Sequence, residues 1–155
     1  MIIRLEEEVR QIFETESLAI RNIPVTGQYA EAVDLIYEHV HNRKGKLITS
    51  GLGKAGETAN SIAMLFSSTG TPSVFLHPSE AQHGDLGVVQ ENDVMLVVSN
   101  SGETREVIEL LDLTERMFHD LPVILICGNE NSRLWKRSAI CISTGRPEEV
   151  CPLGL

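Results

Sequence analysis

Cysteine is scarce in this chain: Cys127, Cys141 and Cys151 are an odd count without close pairing, and nothing resembles a zinc ribbon. Cys127 and Cys141 stand in apolar, strand-like runs, where a free thiol packs as a small hydrophobe. Long apolar runs are missing too. None approaches the roughly 18 residues that a spanning helix needs, so no membrane contact is expected. The opening Met1-Ile2-Ile3-Arg4-Leu5-Glu6-Glu7-Glu8 has no apolar core of a secretory signal, which points to a cytoplasmic protein. Positive charge is also short, with 22 acids against 13 bases and a formal net charge of −9. Without a basic stripe such a chain repels nucleic acid backbones. A small anion stays open, because backbone N–H groups, hydroxyls and one lysine can hold a phosphate.

What is present is enough apolar residue, 42% of 155 positions, for one compact domain with a core. Helical spacing of Ile2, Leu5, Val9, Ile12, Phe13 and Ile20 predicts a helix over 2–20, and Tyr29 to Val40 predicts another over 28–42. Beyond them, β-type runs at 46–50, 73–77, 93–99, 122–127 and 139–143 alternate with helical stretches at 54–68, 103–119 and 131–137. Val94–Val98 and Val123–Ile126 are continuously apolar, the mark of strands covered on both faces. The expectation is a three-layer α/β fold: a doubly wound, flavodoxin-like sheet of five parallel strands behind two leading helices. The helices over 1–44 pack on the domain or on a partner subunit, and 45–155 form the ligand-binding unit.

In such sheets, ligands lie beyond the carboxyl ends of the strands. Ser50-Gly51-Leu52-Gly53-Lys54-Ala55-Gly56 follows the first strand and opens a helix. Its glycines permit close backbone approach, and Lys54 adds charge. A plain tight turn with a surface lysine stays open as the alternative. The spacing also fits a dinucleotide fingerprint, but no acid ends the next strand; it is not a Walker loop, because Ile48 stands where the first glycine is required. Ser99-Asn100-Ser101-Gly102-Glu103-Thr104 follows the third strand. A helix cap needs one hydroxyl, and this segment has three, which suits a phosphate dianion. His77-Pro78-Ser79-Glu80-Ala81-Gln82-His83-Gly84-Asp85-Leu86-Gly87 forms a polar connection in which a histidine could shuttle protons or be structural. His77 and His83 lack the partners of a metal site, and neither metal nor cofactor is expected.

Together with Ser67-Ser68-Thr69-Gly70-Thr71-Pro72 and the final Cys151-Pro152-Leu153-Gly154-Leu155, these segments resemble the sugar isomerase (SIS) domain family, nearest its arabinose-5-phosphate isomerase branch. The resemblance implies interconversion of ribulose 5-phosphate and arabinose 5-phosphate, which supplies Kdo, an acidic sugar of bacterial surface polysaccharide. A phosphosugar-sensing regulatory domain without catalysis is the alternative. The resemblance places the phosphate against Ser99, Asn100, Ser101 and Thr104, with Ser50, Gly51 and Gly53 nearby. It gives catalytic roles to Lys54, His83, Glu106 and Glu149. It also implies a homodimer or homotetramer, a CMP-activated form of Kdo (CMP-Kdo) as feedback ligand, and a segment after the final motif that this chain is expected to lack.

Overall fold

The computed structural model describes residues 2–118, 120–147 and 149–151. Two helices lead, α1 (Ile2–Arg21) and α2 (Gln28–Ile36), the latter running on into a π-helical turn over Tyr37–Asn42. Strands and helices then alternate: β1 (Leu47–Ser50), α3 (Lys54–Ser68), β2 (Ser73–Phe75), α4 (Pro78–Ala81), β3 (Val94–Val98), α5 (Arg105–Met117), β4 (Val123–Cys127), α6 (Arg133–Arg137) and β5 (Ile140–Ser143). Every neighbouring pair is parallel, in the order β2-β1-β3-β4-β5. The expected doubly wound α/β sheet is the one observed.

The strand sequences explain the layers. Within β3, Val94 and Leu96 join a core with Leu47, Ile124 and Ile140 under α2, to which Ile62 and Phe66 of α3 also pack. Met95 and Val97 join Ile48, Leu125 and Cys141 in a second core under Val107, Ile108, Leu110 and Leu111 of α5 and Leu134 of α6. A strand buried on both faces cannot alternate apolar with polar residues, hence the uninterrupted runs. Cys127 and Cys141 are buried packing residues, and burial pushes the Cys141 thiol up to about 11, far from the reactive range. The chain leaves β1 toward the α3 face and β3 toward the α5 face. The two neighbours therefore part at their carboxyl ends, which opens the crevice at which such sheets bind ligands.

The opposite edge is closed by polar contacts. Asp93 is fully buried and accepts from the amides of Lys46 and Gln90 and from Lys46 Nζ, all at 2.8 Å. These bonds tie the entries of β1 and β3 together and satisfy the buried carboxylate.

Boundaries differ from the sequence reading where local chemistry intervenes. Pro78 starts α4 directly after the short β2, because a residue without N–H fits the first helical position. The connection over 77–87 is no open loop, since Ala81 and Leu86 anchor α4 and a 3₁₀ turn (Asp85–Val88) in the core. Helix α5 begins at Arg105 rather than 103, delayed by Gly102 at φ 63° and by the turn in which Glu103 N donates to Ser101 Oγ at 3.2 Å.

The leading helix is thinly covered. Leu5, Phe13, Leu18 and Ile20 of α1 expose 53–71% of their surface, and Val33 and Tyr37 after it 65% and 59%. Thr15 and Ala19 lie over the segment that follows β5. Among the described residues no helix is long and apolar enough to cross a membrane.

Candidate functional site

The β1 turn is pressed into place from three sides. Ser50 is fully buried and donates its hydroxyl to Leu76 O at 2.7 Å, so it fixes the exit of β2. A Cβ on Gly51 would stand 2.8 Å from Ala55 O and 2.9 Å from Val98 O. Only glycine lets this turn touch both the start of α3 and the end of β3. That contact puts the two loops singled out from the sequence side by side. Gly53 turns the chain with φ 60° into α3, whose first residue, Lys54, is exposed at the rim.

The β3 loop divides its hydroxyls between shape and opportunity. Ser99 is 2% exposed, receives Gly102 N at 3.1 Å and meets Thr104 Oγ1 at 3.0 Å. It builds the loop rather than facing a ligand. Asn100 and Ser101 are exposed, and the Ser101 hydroxyl carries only the Glu103 amide. Thr104 takes the cap position of α5 but makes no capping bond, so the first amides of a 13-residue helix have no side-chain acceptor among the described residues. Only α6 is capped among α2 to α6, by Ser132, which accepts from Trp135 N; α2, α3 and α4 also start without a side-chain cap. An uncapped start behind exposed hydroxyls is an anion site in waiting.

The carboxylates sort themselves by partner. Arg133 binds Glu103 through side chain and backbone N–H, which holds its carboxyl below the ordinary range. Arg105, with Gln82, does the same to Glu109. Glu106, half-buried between them, makes no hydrogen bond or ion pair among the described residues. His83 is exposed in the turn after α4, and its neighbour Gln82 reaches Glu109 at 2.9 Å, which brings this segment against the first turns of α5. Glu149 lines a cleft of about 640 Å³ together with Asn100, Ser101, Gly128, Asn129 and Arg146, closed on one side by Glu16, Ala19 and Ile20 of α1. Lys54, His83 and Glu106 do not line it. Of the last motif, Pro152 to Leu155 lie outside the described residues, as does Glu148.

His77, read from sequence only as part of the polar connection, and Arg146, not weighed there at all, also stand out. His77 Nδ1 is the buried side-chain polar atom without a partner among the described residues. Arg146 enters the cleft from the segment after β5; its signal was its place beyond the carboxyl end of a parallel strand. No three His, Cys, Asp or Glu side chains gather as a metal ligand set among the described residues.

Comparison with known proteins agrees with this geometry. The SIS domain profile matches residues 39–154. A Yersinia pestis protein named arabinose 5-phosphate isomerase KdsD is 38% identical over 96% of this chain and 43% of its own length. The chain spans less than half the length of the curated relatives it matches. A Bacteroides fragilis crystal structure, described as that of a candidate phosphosugar isomerase involved in capsule formation, shares 54% identity with a TM-score of 0.96, over 97% of this chain and 79% of that one. An Escherichia coli CFT073 protein in complex with arabinose 5-phosphate shares 32% identity with a TM-score of 0.85, over 99% of this chain and 79% of that one.

The loop geometry makes Gly102 irreplaceable. Its φ is 63°, and a Cβ there would overlap the Ser132 hydroxyl and stand 2.9 Å from Cys127 Sγ. Gly102→Ala is expected to cost about 2–4 kcal/mol, from left-handed backbone strain plus overpacking. Urea denaturation measures it, and a wild-type midpoint would contradict the packing described.

Proposed function

The chain belongs to the SIS domain family, and from that premise we propose that it is a sugar-phosphate isomerase acting on ribulose 5-phosphate and arabinose 5-phosphate. The observation that carries the reading is the uncapped start of α5 beside Ser101 and Thr104, at the crevice between β1 and β3. The arabinose 5-phosphate held by the Escherichia coli relative and the isomerase name of the Yersinia pestis relative support the substrate. The capsule connection of the Bacteroides fragilis relative supports a role in supplying surface polysaccharide; that the product is a cytoplasmic acidic sugar precursor is part of the proposal. A regulatory, non-catalytic domain is favoured by no feature of this site.

The reaction moves a carbonyl between C1 and C2. From the aldose side, a base takes the C2 proton, negative charge collects on the C1 oxygen as an enediolate, and a proton returns to C1 while the O2 proton passes to O1. Glu149 is the base, since it shares a cleft with the phosphate loop. On the family resemblance, Lys54 steadies the oxyanion and His83 and Glu106 carry the proton between oxygens, from positions outside the cleft that Glu149 lines. Amides of α5, Ser101 and Thr104 hold the phosphate; Ser50, Gly51, Gly53 and Ser99 give the cradle its form.

The exposed apolar side chains of α1 and α2 are covered by further copies of the chain, as a homodimer or homotetramer. Light scattering is expected to give two or four copies, and a monomeric mass would overturn that assembly. CMP-Kdo occupies the same cleft as a feedback ligand and is expected to displace arabinose 5-phosphate in calorimetry.

Turnover of ribulose 5-phosphate in a coupled assay tests the catalytic reading. Glu149→Gln is expected to lower the rate by roughly 10²- to 10⁴-fold and to leave phosphosugar affinity within a few-fold. Wild-type chain that binds the phosphosugar and turns over none would leave a binding domain in place of an enzyme.

A further inference from the structure

One cation in the cleft is held in an unusual way. Arg146 Nε donates to Gly128 O at 3.3 Å, and Nη2 donates to Asn129 Oδ1 at 2.6 Å. Both acceptors are neutral. Arg4, Arg43, Arg105, Arg133 and Arg137 each rest against a carboxylate; Arg10, Arg21 and Arg116 form no ion pair among the described residues, but none of them is fixed by neutral acceptors as Arg146 is. Acids are available to Arg146, because Glu16 and Glu149 line the same cleft, yet neither forms an ion pair with it. In a chain of net charge −9, a guanidinium held in a cleft by two neutral acceptors, with no counter-charge among the described residues, is a feature that needs a cause.

The fixing also links it to the phosphate loop. Asn129 Nδ2 donates to Ser101 O at 3.1 Å while its oxygen receives Arg146. One amide side chain therefore sets the guanidinium against the loop whose Ser101 lines the cleft. Two of the five N–H donors are spent, and three remain in the planar fork that matches a phosphate. The start of α5 supplies only about half a unit of positive charge, too little for a dianion.

We propose that Arg146 binds the phosphate of the sugar phosphate and supplies the full charge that the α5 start lacks. This rests on the phosphosugar reading of the cleft and adds to it a residue that selects charged over neutral sugars. The fork reaches the phosphate oxygens from the β5 side, and Ser101, which lines the same cleft, reaches them from the β3 side.

Calorimetric titration with inorganic phosphate, arabinose 5-phosphate and unphosphorylated arabinose tests the proposal on the wild type, Arg146→Met and Arg146→Lys. Arg146→Met is expected to weaken both phosphate and phosphosugar by roughly 10- to 100-fold, the effect of one charge-assisted pair. Arg146→Lys is expected to recover part of the loss, as a point charge without the fork. In turnover, KM rises in both variants while kcat changes little. Circular dichroism checks that the variants fold, and the lysine variant decides the matter if the methionine variant does not. Wild-type affinity for phosphate and phosphosugar in the folded variants overturns this assignment and leaves the isomerase reading standing. Wild-type protein that binds neither ligand overturns both.

Discussion

The site depends on one close approach: the turn after β1 against the last carbonyl of β3. Gly51 has no side chain, so the two backbones meet where any Cβ would stand 2.9 Å from Val98 O. That contact brings the start of α3 and the start of α5 to one rim, from opposite faces of the sheet. Ser50 holds the third neighbour by its bond to Leu76 O. A larger residue at position 51 would push the loops apart, and the uncapped α5 amides would face water instead of a shared crevice.

Polar groups are distributed along the sheet accordingly. At the entry edge Asp93 takes three donors, and His39 Nδ1 lies 3.1 Å from Asn92 O. At the exit edge demands are left open among the described residues: α5 lacks a side-chain cap, His77 Nδ1 lacks a partner, and Arg146 lacks an acid. Polar groups are satisfied at the entry edge, and among the described residues the unsatisfied ones collect at the exit edge. An acidic protein can thus serve an anion, because its long-range charge matters less than donors aimed at one point.

The fold was legible in the sequence because burial on both faces leaves a direct trace. Runs such as Val94–Val98 can be satisfied only inside a covered parallel sheet, and five β-type runs with helical spacers fix the architecture. Loop positions were legible for a related reason, since serine and glycine crowd the ends of β1 and β3. What could not be read was which hydroxyl is spent inside the loop. Ser99 and Ser101 look alike in sequence, yet Ser99 closes on Gly102 N and Thr104 while Ser101 stays exposed. The start of α5 was placed two residues early, because propensity does not register the left-handed turn at Gly102. Arg146 has one signal, its place beyond the carboxyl end of β5, but a single arginine in an acidic loop reads as surface until its two neutral partners are seen.

Amide-resolved magnetic resonance during titration with arabinose 5-phosphate tests the central claim most directly. The largest shifts are expected to fall together on Gly51–Lys54 and on Ser101–Val107, at one ligand concentration. Shifts confined to the edge around Lys46 and Asp93, or to only one of the two loops, would contradict it.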